Sequence, residues 1–514
     1  MVKQACGAVI AAPVARAGER VARRVLVYRT IVDAIHGGAL PAGARLPSSR
    51  QLAAEWGYTR GAVDEAYAQL QAEGLLARRT GDGSYVADLP PRADTPTPAN
   101  PVLRPVSAAA LKVRERMQLY LGPKQKIELP GPAVRNLPLY PRAPMIATFP
   151  LDTWRRLIAR AYGEEQRSQL NYGDAAGLRA LREAIVRHLA LARGTPCRPE
   201  QVLILNSPTQ AVELIARVLL EPGDTVWVED PGHSSLITLF QALHARVVGV
   251  PLDAEGLDVA RGRELAPQAA AVYLHPLTQF PLGVRTSTAR RAELMQWAES
   301  CGAWVIEGNF NDEIAHDGRA PAPLQAMDRS DRVLLLGTLE GIMFPSLRLA
   351  YLVVPAKLAD LFIAMRGLLG DHSNVGLQQA MAWFIDEGHL SRHLRTLRLL
   401  ARERGEALRA ACMRHLPPWA VLGPLGGGTH ACIHLPDEIH DLDIARAVRP
   451  EGIIAMALSS VCIGPGLRNG LAIGFGAFEP ALIDDAIRRI GLALQTHAAA
   501  RKGSATSLPA VVRM

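Results

Sequence analysis

The sequence predicts two folded regions of different class: a small, mainly helical domain with a β wing, and a large α/β domain with a mainly parallel sheet. Three observations predict this. Residues 25–88 hold short helical patterns split by a tight turn and closed by a glycine-centred hairpin. Residues 136–497 alternate short apolar runs with helical patterns. The stretch between them, 89–135, is rich in Pro, Arg and Ala and has little periodicity. At 514 residues the chain has room for several domains. Its 49% hydrophobic and 21% charged content is that of a globular protein and excludes fibrous and disordered classes. Six cysteines, at 6, 197, 301, 412, 432 and 462, show no C-x-x-C spacing, which argues for a reduced, cytoplasmic chain without a structural metal. No apolar run is long enough to span a membrane.

The formal charge of +8 is unevenly placed. Residues 1–88 carry 11 Lys/Arg against 8 Asp/Glu, residues 89–150 carry 9 against 3, and the remainder 37 against 38, giving +3, +6 and −1. The basic excess therefore lies in the first third and points to an anionic partner there, nucleic acid first.

Taken in order, residues 1–24 read as a flexible, alanine-rich extension whose apolar part is too weak for a secretory signal. Val27, Ile31, Ala34 and Ile35 recur at helical spacing, and Gly37 and Gly38 stop that helix. Ser48 or Ser49 can cap a second helix ending near Trp56. Gly57 makes the turn, and Thr59 is placed to cap a third helix that ends near Gly74. Two helices joined this way form a helix-turn-helix. Leu75–Arg78 and Ser84–Ala87 read as strands of a wing around Gly81 and Gly83. In 89–135 the basic residues Arg114, Arg116, Lys124 and Lys126 either follow flanking DNA or keep an extended linker solvated. The apolar runs 202–207, 225–230, 246–252, 270–276, 303–308, 333–337 and 349–354 read as strands of a buried sheet. Residues 498–514 read as a flexible tail.

The motif Arg45-Leu46-Pro47-Ser48-Ser49-Arg50, with Leu52-Ala53, Thr59-Arg60, Ala72-Glu73-Gly74 and Gly81-x-Gly83, resembles the winged helix-turn-helix of the GntR superfamily. The resemblance implies DNA binding. Thr59, Arg60 and Gly61 would meet base edges at the start of the recognition helix. Ser48, Ser49 and Arg50 would meet phosphate at the preceding helix start. Gly81, Gly83 and Ser84 of the wing would approach the backbone. The family usually has Asn-Thr where this chain has Gly61-Ala62, so the base preference differs.

The large domain carries Asn171-Tyr172-Gly173-Asp174, Arg193-Gly194, Glu229-Asp230-Pro231-Gly232, Gln279-Phe280-Pro281-Leu282-Gly283, and the stretch Val333–Pro355. These resemble the fold-type I aminotransferases, whose cofactor is pyridoxal phosphate (PLP). A GntR-like module ahead of such a domain is the architecture of MocR-type regulators. The expected fold is thus a winged helix-turn-helix followed by an α/β PLP-transferase-like domain.

The residues that the resemblance implies for the cofactor are largely altered. The Schiff-base lysine falls at Gly341, and the chain's six lysines, at 3, 112, 124, 126, 357 and 502, leave none between 127 and 356. The family's Glu-Asp-Asp-Tyr-Asp reads Glu307-Gly308-Asn309-Phe310-Asn311. Gly308 stands for the carboxylate on the ring nitrogen and Phe310 for the tyrosine on the ring hydroxyl. The interval from 308 to 341, 33 residues, equals the family's. The phosphate cradle reads Ser207-Pro208-Thr209, and Pro208 has no N–H to give. His233 stands where the family stacks a tyrosine and Thr278 where it has histidine, while Tyr172 and Arg348 keep family phosphate contacts. The implied protein is a homodimeric, non-enzymatic transcriptional regulator binding an operator with two half-sites. No PLP is expected to be held covalently, the domain is free to sense an unidentified small-molecule effector, and no metal or membrane is involved. The alternatives are a PLP-responsive regulator or an aminotransferase that binds the cofactor without a covalent bond, and a structural protein that pairs with a second regulator.

Overall fold

The computed structural model describes residues 21–79, 82–88, 137–164, 170–310, 312–315, 321–370, 372–464 and 468–505, with a few isolated positions beside them. The expected extension, Gly81 and almost all of the linker, including Arg114, Arg116, Lys124 and Lys126, lie outside the described residues. The chain divides into two compact units, one ending at Arg104 and one starting at Pro105.

In the first unit α1 (Arg23–His36) turns Val27, Ile31 and Ile35 inward against Val63, Ala66 and Leu70 of α3 (Arg60–Ala72). Between them α2 (Ser49–Trp56) adds Leu52, Ala53 and Trp56 to the same core. Of the two candidate serines, Ser48 is the cap. Its Oγ accepts from the Gln51 N–H and Gln51 Oε1 accepts from the Ser48 N–H, which closes a capping box. Ser48→Ala is expected to lower the stability of this unit by about 1 kcal/mol, read by chemical denaturation. Gly57 turns the chain with φ 67°, a left-handed conformation that favours glycine. Thr59 takes the predicted N-cap position of α3, but its side chain makes no capping bond, which corrects the expected cap chemistry. The wing pairs β1 (Leu76–Arg79) with β2 (Gly83–Val86), one residue from the expected bounds on each strand. Arg45 joins the wing by a bridge to Tyr85 and a guanidinium bond to the Asp82 carbonyl.

The second unit is built on an eight-stranded sheet. Its strands are β3 (Val202–Leu205), β4 (Thr225–Asp230), β5 (Arg246–Asp253), β6 (Gly256–Leu257), β7 (Ala271–Leu274), β8 (Trp304–Asn309), β9 (Val333–Thr338) and β10 (Ala350–Val353). Their order is β3-β10-β9-β8-β7-β4-β5-β6. The central neighbours from β9 to β5 are parallel, and β10 runs antiparallel between β9 and β3. All seven predicted apolar runs are strands of this sheet. They lack polar alternation because both faces are buried. Leu335, Tyr351, Val202 and Ile204 pack on one face with Trp154, Leu181 and Phe384. Leu334, Leu336, Leu203 and Leu205 pack on the other with Val212, Ile215 and Phe240.

Two features of this unit go beyond the expectations. A second sheet, antiparallel, pairs β11 (Val421–Leu422), β12 (His430–His434), β14 (Gly470–Gly474) and β13 (Met456–Ala457). The helix Pro480–Ala505 also runs into the stretch read as a flexible tail, because Ile483, Ile487, Ile490 and Leu494 bury one of its faces. No described helix is long and apolar enough to cross a membrane.

Candidate functional site

In the first unit the start of α3 is exposed, which brings Thr59, Arg60 and Gly61 to one accessible edge. The Arg60 guanidinium lies 3.3 Å from Asp64 one turn on, an exposed pair that competing phosphate or base acceptors can open. Tyr67 donates to the Pro47 carbonyl at 2.9 Å and fixes α3 against the segment that leads into α2. Arg50 is exposed at the start of α2, Ser49 is half-buried, and the Ser48 hydroxyl is already engaged by Gln51. Gly83 has φ 124°, which an L side chain rarely adopts, and Ser84 beside it is half-buried.

In the second unit the predicted pocket residues gather at the C-terminal ends of β3, β4, β7, β8 and β9, where ligands of open α/β sheets bind. His233 follows β4, Thr278 follows β7, Gly308 and Phe310 end β8, Gly341 lies in the turn after β9, and Ser207–Thr209 start the helix after β3. Tyr172 is the exception. It is 90% exposed, and its ring faces His372 at 6.0 Å.

The predicted pocket residues are packed against other groups of the chain. At Gly308 a Cβ would fall inside van der Waals contact of the His275 ring, so a carboxylate there must displace His275. The His275 Nε2 lies 3.1 Å from the Tyr273 hydroxyl, and its Nδ1 lies 3.5 Å from the buried Glu229 carboxylate. Burial raises the Glu229 carboxyl, against the opposing pull of the adjacent His275 ring. The His233 ring stacks on Phe280 at 4.7 Å and lies 4.6 Å from His275, and Phe310 lies 4.7 Å from His275. Burial holds the His233 imidazole well below its usual pKa, and it pushes His430, 5.0 Å from Phe280, down to about 4. His233 and His430 are therefore neutral rings at neutral pH.

The phosphate end is likewise engaged. Arg348 pairs with Glu340 at 3.2 Å, so a carboxylate of the chain lies where an anion would be held. Burial raises the Glu340 carboxyl, and the Arg348 and Arg142 guanidinium groups lower it. At the helix Pro208–Leu219, Pro208 gives no donor and Ser207 Oγ accepts from the Gln210 N–H at 3.1 Å. The Ala211 N–H bonds the Ser207 carbonyl, so Thr209 has the one uncommitted N–H of that turn among the described residues. Lys357 is the only lysine whose side chain is described. It lies beyond the C-terminal end of β10, which runs antiparallel to β9, and so at the opposite edge of the sheet from Gly341.

The sequence pointed to Gly308, Phe310 and Arg348 but not to His275, which packs against the first two, nor to Glu340, which pairs with Arg348. Glycine at a buried strand end is the signal that could have pointed to a bulky neighbour. Thr278 is buried, and its methyl would meet a Cβ built at Gly428. No group of His, Cys, Asp and Glu able to hold a metal occurs among the described residues.

Two family models match the chain. "Bacterial regulatory proteins, gntR family" matches residues 24–86, and "Aminotransferase class I and II" matches residues 146–490. The chain is 32% identical to the probable rhizopine catabolism regulatory protein MocR of Rhizobium meliloti, over 94% of this chain and 96% of that one. It is 31% identical to the HTH-type pyridoxine biosynthesis transcriptional regulator PdxR of Corynebacterium glutamicum, over 86% and 89%. Among solved structures, the multiple substrate aminotransferase of Thermococcus profundus superposes with a TM-score of 0.67 at 23% identity. It covers 77% of this chain and 98% of that one, a likeness of fold.

Proposed function

The chain belongs to the MocR-type regulators, in which a gntR-family domain precedes an aminotransferase class I and II domain, and from that premise we propose that it reads an operator with two half-sites as a homodimer without using PLP covalently. The observation that carries the second part is the arrangement around Gly308, Gly341 and Arg348, where His275 and Glu340 stand against the positions a cofactor would need. The domain then serves as a catalytically inactive dimerisation module that holds two DNA-binding heads at a fixed spacing. Tyr172 supports the dimer. A residue that matches a phosphate contact of the family is fully out in solvent on a single chain, as expected if such pockets are assembled across a two-fold. Exposed apolar residues Leu151, Leu170, Leu368 and Leu369 offer area for the same contact. The protein acts in the cytoplasm, on the nucleoid.

Base reading rests on Arg60, whose guanidinium matches the paired acceptors of guanine. Arg60→Ala is expected to cost about 1–3 kcal/mol in operator binding and to relax preference at one base pair of each half-site, read by footprinting and competition. A footprint unchanged in position and strength removes Arg60 from that role.

A further inference from the structure

Base reading through Arg60 leaves the carboxylate of Asp64 unused. Asp64 lies one turn after Arg60 in α3, and its Oδ2 is 3.3 Å from Arg60 Nε. Residues four apart share a helix face. Both side chains are more than half exposed, while Val63, Ala66 and Leu70 turn into the core. Glu65, next in sequence, is held elsewhere, by Arg24 at 3.4 Å. Gly61 adds no bulk to the start of the helix, and the space where its Cβ would stand is open.

Both outer ends of this pair stay available. The closest approach is at Arg60 Nε, and the terminal nitrogens of the guanidinium, which match guanine N7 and O6, make no hydrogen bond among the described residues. Asp64 Oδ1 makes none there either. A carboxylate on a helix that enters the major groove is repelled by phosphate, so it lowers affinity for DNA in general. That cost is offset only where a base gives it a hydrogen bond. On the strand it faces, cytosine and adenine present an exocyclic amine in that groove, whereas guanine and thymine present oxygen.

Resting on the operator reading above, we propose that Asp64 is a second base-reading residue, which accepts a hydrogen bond from the amine of a cytosine or adenine close to the guanine taken by Arg60. Oδ1 is the atom that accepts, with Oδ2 on the Arg60 stem. Four residues rise about 6 Å along a helix, less than two base-pair steps of about 3.4 Å, so the two bases lie within about two base pairs of each other. Guanine or thymine at that place sets oxygen against oxygen and is rejected.

The test is selection from a random-sequence duplex pool by the full chain and by its Asp64→Ala, Asp64→Asn and Glu65→Ala variants, followed by affinity for a duplex of unrelated sequence. The parent is expected to enrich, near the guanine of each half-site, one position where cytosine or adenine exceeds guanine and thymine by about tenfold. Placing each base there in turn separates cytosine from adenine. Asp64→Ala is expected to lose the preference at that position, retain the guanine, and bind the unrelated duplex more tightly. Asp64→Asn, whose amide both donates and accepts, is expected to admit guanine and thymine there. Glu65→Ala should match the parent. The substituted side chains are exposed, so folding is preserved, and the denaturation midpoint checks it. Enrichment by the parent with an unchanged pattern in Asp64→Ala overturns this proposal and leaves the operator reading standing. No enrichment by the parent overturns both. An equal loss at every position in Asp64→Ala, with weaker binding to unrelated DNA, marks a purely structural role and overturns the proposal as well.

Discussion

Gly341→Lys is expected to leave the protein without a new visible absorption band in the presence of PLP, and borohydride is expected to leave no pyridoxyl adduct at that residue. Returning the amine repairs one deficit among several. Arg348 stays paired with Glu340, so the phosphate must break an ion pair before it gains one. The cradle lacks the Pro208 donor, and Ser207 Oγ occupies the Gln210 N–H. Each missing charge-assisted bond is worth roughly 1.5–3 kcal/mol, about tenfold to a hundredfold in affinity. Adding Gly308→Asp makes matters worse, because its side chain must enter the space of the His275 ring. The double variant should melt earlier than the parent and still fail to bind. Binding should begin to return only when His275 and Glu340 are also shortened to threonine and serine. Submicromolar PLP affinity from Gly341→Lys alone would show that the lysine was the sole lesion.

Removing residues 136–514 is expected to cost about a hundredfold to ten-thousandfold in operator affinity, measured by mobility shift, while the head stays folded. The head keeps its own core of Val27, Ile31, Leu52, Val63 and Leu70, so base contacts survive the deletion. What is lost is the second head, held close to the first by the dimer. Fusing the truncated chain to an unrelated parallel coiled coil should recover part of the affinity. An isolated head that binds as tightly as the full chain would remove dimerisation from the account.

The main sheet was legible because a strand buried on both faces has to be apolar at every position, and turns mark where it stops. Runs such as 333–337 and 349–354 satisfy both conditions. The antiparallel sheet was not legible. Two of its strands, Val421–Leu422 and Met456–Ala457, are too short to show a period, and Gly470–Gly474 carries a glycine at each end. The helix across 498–505 was lost for another reason. Its sequence there is alanine-rich, and composition alone does not separate a continuing helix from a tail. In the head, residue types and spacing placed the caps and turns because each has a local cause, although the Thr59 side chain makes no cap bond. In the pocket the family resemblance implied two losses, Gly308 for a carboxylate and Gly341 for an amine. It did not show what had moved in, since His275 and Glu340 matter through contacts with residues far along the chain or with a backbone shape. Tyr172 was read as a pocket residue, and on one chain it is at the surface.

The central claim is operator reading without the cofactor, and selection of genomic DNA fragments by the purified full chain, run with and without added PLP, tests it most directly. The account predicts one enriched sequence with two half-sites, the same in both arms and lost in Arg60→Ala. Enrichment that requires PLP, or no enrichment in either arm, would contradict it.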